Sequence, residues 1–197
     1  MSATTTTPVR VTAADALGAI SAENVHVVDR LRDASAETLD DAAERLHRAG
    51  RVFVLGAGRS GLALRMTAMR LMHLGLTVHV VGEVTAPAIA AGDVLLAASG
   101  SGTTGAIVRA AETAAAAGVG IVALTTDAGS PLAEMAEVTV VIPAAAKQDH
   151  GGPRSTQYSG GLFEQSVLLV GDAIFHTLWK ASGATAEELW PRHANLE

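Results

Sequence analysis

The segment from Val94 to Gly105 constrains the fold of this chain more than any other. Its apolar run over 94–98 is typical of a parallel strand that is covered on both faces. A loop of glycines and hydroxyl side chains follows, and an alanine-rich helix is predicted from about Thr103. Glycine lets a ligand approach the backbone closely, and the first turn of a helix offers free N–H groups. The pattern therefore predicts a strand, an anion-binding loop and a helix.

The rest of the chain repeats this alternation of strands and helices. Apolar runs predict further strands at 51–55, 77–81, 120–125 and 138–142. Helical spacing predicts helices at 58–74, 103–117, 130–136 and 161–182, and a helical segment at 10–49 in which Ser35 is an N-cap candidate. We expect an α/β fold, a three-layer α/β/α sandwich with a five-stranded parallel sheet and right-handed crossovers. Ligands should bind beyond the carboxyl ends of its strands.

Length, charge and composition limit the possible classes of protein. The 197 residues suit one domain over 10–197, with a disordered stretch at 1–9 and a tail at 185–197. A formal net charge of -6 argues against a nonspecific nucleic-acid binder, and the lack of cysteine excludes disulfides and thiolate metal sites. No apolar stretch suits a signal peptide or a membrane span, which predicts a cytoplasmic protein. No spacing of His or carboxylate side chains suggests a metal site.

The loop after the third predicted strand is the more specific of two glycine-rich loops. It has no terminal lysine of the kind that a P-loop requires, which argues against a triphosphate and favours the phosphate of a small metabolite. The alternative interpretation is a solvated serine–glycine connection. The candidate phosphate ligands are Ser99, Ser101, Gly102, Thr103 and Thr104.

The earlier loop, Gly56 to Gly61, fits the dinucleotide fingerprint G-x-G-x-x-G. Glu83 lies past the next strand, where an acid that binds ribose would stand, so an NAD-linked oxidoreductase is one hypothesis. Arg59 and Ser60 suit a phosphate or a sugar hydroxyl equally well. A tight turn that merely needs glycines is the third interpretation.

Glu164 is predicted in the first turn of a very apolar helix, after a long polar segment at 143–160. Val167, Leu168 and Gly171 follow on its face of that helix. The carboxylate either complements the helix dipole or serves as a general base among apolar neighbours. No role is assigned to Asp172 or to the polar segment.

Two histidines are further candidates. His73 follows Met66 and Met69 at helical spacing and suits a core or an interface. His193 lies in the tail, where it is either solvated or completes a site in a neighbouring subunit. The apolar face over 66–73 predicts a homo-oligomer.

The chain resembles the 6-phospho-3-hexuloisomerases of the sugar isomerase (SIS) domain superfamily over about residues 30–197. The matching segments are Gly58–Gly61, Met69–Gly75, Val81–Thr85, Ser99–Thr104, Leu162–Gln165 and Arg192–Leu196. The family's threonine segment after Glu83 is only partly kept, as Val84-Thr85-Ala86-Pro87.

The resemblance implies a fold, a reaction and a set of roles. The family interconverts D-arabino-hex-3-ulose 6-phosphate and D-fructose 6-phosphate in the ribulose monophosphate route of formaldehyde fixation. Its members are generally tetrameric, and neither a metal nor a nucleotide cofactor is expected. In an enediol mechanism Glu164 would be the base, and His73 or a neighbour's His193 the acid.

Residues of both loops would hold the substrate. Ser99, Ser101, Thr103 and Thr104 would bind the phosphate, and Arg59, Ser60 and Glu83 would contact the sugar or the phosphate. Two other functions remain open: a different phosphosugar isomerase of this fold, and a sugar-phosphate sensor without catalysis.

Overall fold

The structure, a computed structural model, describes residues 10–145 and 155–196. Its strands are β1 (Val52–Gly56), β2 (Val78–Val80), β3 (Val94–Ala98), β4 (Gly120–Thr125) and β5 (Val138–Val141). Its helices are α1 (Ala13–Ala34), α2 (Ala36–Arg48), α3 (Gly58–His73), α4 (Gly105–Ala116), α5 (Pro131–Met135), α6 (Gly161–Ser182) and α7 (Ala186–Leu189), with a 3-10 turn at Trp190–Arg192. The disorder predicted for 1–9, and residues 146–154 of the polar segment at 143–160, lie outside the described residues.

The strands form one parallel sheet, which confirms the predicted architecture. Among the described residues the order is β2-β1-β3-β4-β5. The chain runs from β1 outward to β2 and then returns to the other side of β1 with β3. The order therefore reverses between β1 and β3, where open α/β sheets bind their ligands. Gly56 lies opposite Ala98 at the carboxyl ends of these two strands.

Side chains that alternate along each strand fill two apolar cores. On one face Val54, Leu96 and Leu124 pack against α1, α2, α3 and α6. On the other face Leu95 and Ile121 pack against α4 and α5. Both faces are thus covered, which explains why the strands are continuous apolar runs in the sequence.

The amino-terminal helices begin with a strong capping arrangement. The Thr12 hydroxyl accepts a hydrogen bond from the Asp15 N–H, and the Asp15 carboxylate accepts one from the Thr12 N–H. Ser35 separates α1 from α2, but its side chain makes no capping hydrogen bond. Its backbone N–H instead closes α1 by donating to the Leu31 carbonyl oxygen.

Helix α6 crosses α3 at a point of very close approach. A Cβ atom on Gly171 of α6 would overlap the hydroxyl of Thr67 on α3. Thr67 is fully buried, so its side chain cannot swing into solvent to make room. Gly171 is therefore required for this packing, and the packing fixes where α6 begins relative to α3.

We predict that Gly171→Ala destabilises the fold by about 1–3 kcal/mol, the usual cost of overpacking a core. Gly18→Ala is the matched control, because a Cβ on Gly18 of α1 would meet nothing within 4 Å. That change should raise the free energy of unfolding by about 0.5–1 kcal/mol, since alanine loses less backbone entropy than glycine. Urea unfolding measures both, and two equally stable variants would contradict the close approach.

Candidate active site

The loop after β3 is held in shape by its own hydroxyls. The Ser99 and Thr104 hydroxyls share a hydrogen bond of 2.9 Å, and the Thr103 N–H donates to the Ser101 hydroxyl oxygen at 3.2 Å. The Ser99 N–H donates to the Leu124 carbonyl oxygen on β4 at 3.0 Å. Helix α4 starts directly after the loop, so its first N–H groups lie at the same edge of the sheet.

A second layer of hydroxyls from the end of β4 supports this loop. The Thr126 hydroxyl donates to the Gly100 carbonyl oxygen at 2.7 Å, and the Thr125 hydroxyl donates to the same oxygen at 3.2 Å. Gly102 has a φ of +62°, and a Cβ there would overlap the Ser130 side chain. Gly102 therefore has a conformational role within the predicted phosphate site. Thr125, Thr126 and Ser130 were not predicted from the sequence. The available signal was their hydroxyls, which lie at the end of β4 or shortly after it, at the same edge of the sheet.

The glycines of the earlier loop serve the packing of α3 on β1. A Cβ on Gly61 would overlap the Gly56 carbonyl oxygen, so neither position tolerates a side chain. Glu83 is paired with Arg65 at 2.7 Å, and both side chains are about half exposed. The dinucleotide interpretation is thus left without a free acid at Glu83, while the tight-turn interpretation explains the glycines.

Arg59 and Glu164 meet across the gap between the two halves of the site. Arg59 Nε donates to Glu164 Oε2 at 2.5 Å, although the two residues are 105 positions apart in the sequence. The Glu164 side chain is 15% exposed, whereas Arg59 is 68% exposed. Glu164 is therefore a mostly buried carboxylate with one ionic partner at the rim, and this pairing was not predicted from the sequence.

A pocket of about 280 Å³ joins these features. Most of the residues that were predicted to bind the phosphate or to act as the base line it. Phe163 forms one wall and approaches Gly100 so closely that a Cβ there would lie 3.4 Å from the ring. The lining includes Gly58, Arg59, Ser60, Ser99, Gly100, Ser101, Thr104, Phe163 and Glu164.

Gly102 and Thr103 belong to the loop at 99–104 but do not line the pocket, and three further predicted residues lie elsewhere in the same chain. Glu83 lines a separate groove beside Phe53 and Val81. His73 ends α3, whose other end carries Arg59, so about 21 Å of helix separates these two residues at 1.5 Å per residue. His193 stacks on His73 with ring centres 3.9 Å apart. The structure therefore does not bring His73 or His193 to Glu164 within one chain.

The two histidines belong to a second cluster, which joins the carboxyl end of α3 to the tail. Arg192 donates to the His73 carbonyl oxygen at 2.9 Å, and Trp190 stacks on His193 with ring centres 4.7 Å apart. His73 is buried, and its Nδ1 has no hydrogen-bond partner. Burial lowers the pKa of His73, and the nearby His193 and Arg70 lower it further. These effects favour the neutral form of the His73 ring.

Metal-binding clusters and membrane-spanning helices are both absent from the described residues. Over residues 10–145 and 155–196, no three His, Asp or Glu side chains are grouped so that they could hold a metal ion. Within these ranges no helix has both the length and the apolar character needed to cross a membrane.

The fold and the pocket together define a class of protein. Two neighbouring parallel strands end in glycine- and hydroxyl-rich loops at the point where the strand order reverses, and one buried carboxylate faces them. The chemistry of such an arrangement suits a small anionic ligand, because N–H and O–H donors lie on one side of the pocket and a carboxylate lies on the other.

Comparisons with known proteins agree with this class. The family model for the SIS domain matches residues 45–159. A 3-hexulose-6-phosphate isomerase from Mycobacterium gastri is 53% identical over 96% of this chain and 95% of its own length. The enzyme of the same name from Bacillus subtilis is 37% identical, over 83% of this chain and 89% of its own length. The chain belongs to the SIS domain family.

A solved structure extends the comparison. The crystal structure of a Methanococcus jannaschii protein, from which a molecular function of 3-hexulose-6-phosphate isomerase was inferred, is 28% identical. It matches with a TM-score of 0.80, over 93% of this chain and 99% of its own. The resemblance to the 6-phospho-3-hexuloisomerases that the sequence motifs indicated is thus confirmed over nearly the whole chain.

We predict that Ser101→Ala weakens phosphate binding. A hydrogen bond to a charged group contributes about 1.5–3 kcal/mol, so the KM for a phosphorylated sugar should rise about 10-fold or more. Inhibition by inorganic phosphate should weaken in parallel, because both ligands use the same donors. Thr113→Ala, which removes an exposed hydroxyl from α4, is the control and should change neither constant. Unchanged constants for Ser101→Ala would remove this loop from the site.

Proposed function

We propose that this protein is a phosphosugar isomerase that interconverts D-arabino-hex-3-ulose 6-phosphate and D-fructose 6-phosphate. The observation that carries the proposal is the position of Glu164, a mostly buried carboxylate that lines one pocket with Ser99, Ser101 and Thr104. The names of the relatives from Mycobacterium gastri and Bacillus subtilis support the same substrate pair.

The phosphate would lie on the loop at 99–104, where hydroxyls and the first N–H groups of α4 are available. Thr103, exposed and bonded to the Ser101 hydroxyl, supports that loop. Arg59 and Ser60, at the start of α3, face the same space and would contact the sugar. Glu83 is not in the pocket, and we do not assign it to the substrate of its own chain.

The reaction moves a proton between carbons 2 and 3 of the sugar. Glu164 takes the proton from carbon 3 of fructose 6-phosphate, while the carbonyl oxygen on carbon 2 gains a proton and an enediol forms. The hydroxyl on carbon 3 then gives up its proton and becomes the ketone, and Glu164 returns a proton to carbon 2. Arg59, which lines the same pocket, would stabilise the negative charge that develops on oxygen during these steps.

The acid that protonates the carbonyl oxygen on carbon 2 would come from a neighbouring subunit. His193 is half-buried on top of His73, where the tail contacts the carboxyl end of α3. Helix α3 also exposes Leu62, Met66 and Met69, each at least half exposed. We propose that a second copy covers this apolar face in a homo-oligomer, by family likeness a tetramer, and that His193 reaches the neighbour's pocket. His73, which is buried beneath His193, would then support His193 rather than act as the acid. We expect the enzyme to be cytoplasmic and to need no metal or other cofactor.

We predict that Glu164→Gln lowers kcat by a factor of about 10²–10⁴, the usual contribution of a positioned general base. The variant keeps the size of the side chain and removes its basic oxygen. Binding of fructose 6-phosphate should survive, because the loop at 99–104 is untouched. Glu112→Gln is the same substitution on the exposed side of α4 and should retain full turnover. A near-normal kcat in Glu164→Gln would contradict the proposed base, and Glu164 would then only complement the dipole of α6.

The same variant tests the shared site. Glu164→Gln and His193→Ala each inactivate the enzyme if one subunit supplies the base and its neighbour supplies the acid. Subunits mixed by reversible dissociation should then recover part of the activity, because some sites combine two intact contributions. No recovery in oligomers that are shown to be mixed would place the whole reaction within one chain.

A further inference from the structure

Glu23 on α1 is the acceptor of a cluster of hydrogen bonds from the segment just before α6. The Ser155 hydroxyl donates to Oε2 at 2.7 Å, and the Thr156 N–H and hydroxyl donate to Oε1 at 2.8 and 2.6 Å. Gln157 Nε2 adds a further bond to Oε2 at 3.0 Å. One carboxylate thus fixes three successive residues that are more than 130 positions away in the sequence.

The network continues from Gln157 into the first turn of α6. Gln165 Nε2 donates to Gln157 Oε1 at 2.8 Å, and Asn24 Nδ2 donates to Gln165 Oε1 at 2.6 Å. A carboxylate only accepts hydrogen bonds, so Gln157 must turn its NH2 group toward Glu23. Its carbonyl oxygen then faces Gln165, whose own carbonyl oxygen faces Asn24. The charge on Glu23 therefore sets the direction of every amide in this chain of bonds.

Glu164 lies between the two places that this network holds. On one side the backbone passes through Ser159 and Gly160, with φ of 23° and 80°, before α6 begins. The Glu164 N–H donates to the Gly160 carbonyl oxygen at 3.1 Å, so the turn and the carboxylate are directly linked. On the other side Gln165 is held by Gln157 and Asn24. Movement of either support would move Glu164 relative to the loop at 99–104.

The hydrogen bonds to Glu23 favour the charged form of its carboxylate. Burial raises the pKa of Glu23, but the hydrogen bonds from Thr156, Ser155 and Gln157 outweigh burial and lower the pKa to about 2. A neutral residue of the same size would accept fewer of these bonds and would present an NH2 group to donors that need an acceptor. The arrangement thus depends on an ionised acid at this position.

We propose that Glu23 is a positioning residue for Glu164, which it holds through Ser155, Thr156, Gln157 and Gln165 at the distance from the phosphate loop that proton transfer requires. This inference rests on the proposed function, because Glu23 affects proton transfer only if Glu164 is the base. It assigns a catalytic consequence to α1, a helix that lines no part of the pocket.

The first test separates kcat from KM in Glu23→Gln. We expect kcat for fructose 6-phosphate to fall by about 10- to 100-fold, since a displacement near 1 Å can cost that much. KM and inhibition by inorganic phosphate should change less than twofold, because the loop at 99–104 follows β3 and is supported by the end of β4 rather than by α1. Glu112→Gln is the control and should match the original protein. An unchanged kcat, or a loss confined to KM, would overturn the proposal.

The second test is a double variant, for which a positioning role and a merely structural role of Glu23 predict different results. In the Glu164→Gln background, adding Glu23→Gln should lower the residual kcat no further, because the group that Glu23 positions is already gone. Losses that multiply in the double variant would show that Glu23 acts independently of Glu164. Thr156→Val, which removes one of the bonds to Glu23, provides a milder variant with an expected loss of a few fold, should Glu23→Gln fold poorly.

The third test does not need the substrate. Hydrogen exchange should become faster over residues 161–165 in Glu23→Gln and should stay the same in α3. If the original protein fails to convert fructose 6-phosphate while exchange changes as expected, the proposed function is wrong and the link from Glu23 to the start of α6 stands. Unchanged exchange at 161–165 would overturn the link itself.

Discussion

The parallel pairing of β1 with β3 is the constraint on which the site depends. Val52 opposite Val94 and Gly56 opposite Ala98 bring the ends of the two strands into line. Each strand therefore delivers its loop, and the start of the helix that follows, to the same place. Because β2 and β4 lie on the outer sides of this pair, the connections after β1 and β3 leave in opposite directions, which opens a crevice between the loops. The hydroxyl and N–H donors of the loop at 99–104 consequently face the same pocket as the Ser60 hydroxyl and the Arg59 guanidinium, which follow β1.

Helix α6 completes the site by bringing the Glu164 carboxylate to that crevice. Its packing against α3 requires Gly171, and its first turn is tied to α1 through the network that ends on Glu23. The ion pair of Arg59 and Glu164 spans the remaining gap. Exposed ion pairs add little to stability, and Arg59 is largely exposed, so we assign the pair an orienting role rather than a stabilising one.

Much of this arrangement could be predicted from local sequence patterns. The strands were predictable because a sheet covered on both faces needs continuous apolar runs, and each strand lies within one residue of its predicted bounds. The loop at 99–104 was predictable because glycines and hydroxyls follow a strand directly. Glu164 stood out because an acid at the start of a very apolar helix is conspicuous.

What the sequence could not indicate depends on contacts between distant segments. The bonds from Ser155 to Glu23 and from Arg59 to Glu164 join residues 132 and 105 positions apart, and no local spacing predicts them. The stacking of His193 on His73 likewise requires the tail to return to α3. Glu83 follows the predicted strand as an acid that binds ribose would, but its position in the sequence could not reveal that it forms an ion pair with Arg65.

The site of proton exchange in the substrate tests the central claim most directly. The enzyme is incubated with D-fructose 6-phosphate in deuterium oxide, and the products are followed by NMR. A proton shift between carbons 2 and 3 predicts the appearance of the 3-hexulose and deuterium at carbon 3 of the recovered fructose 6-phosphate. Deuterium at carbon 1 with no 3-hexulose would contradict the account, because it would identify an isomerase that acts between carbons 1 and 2.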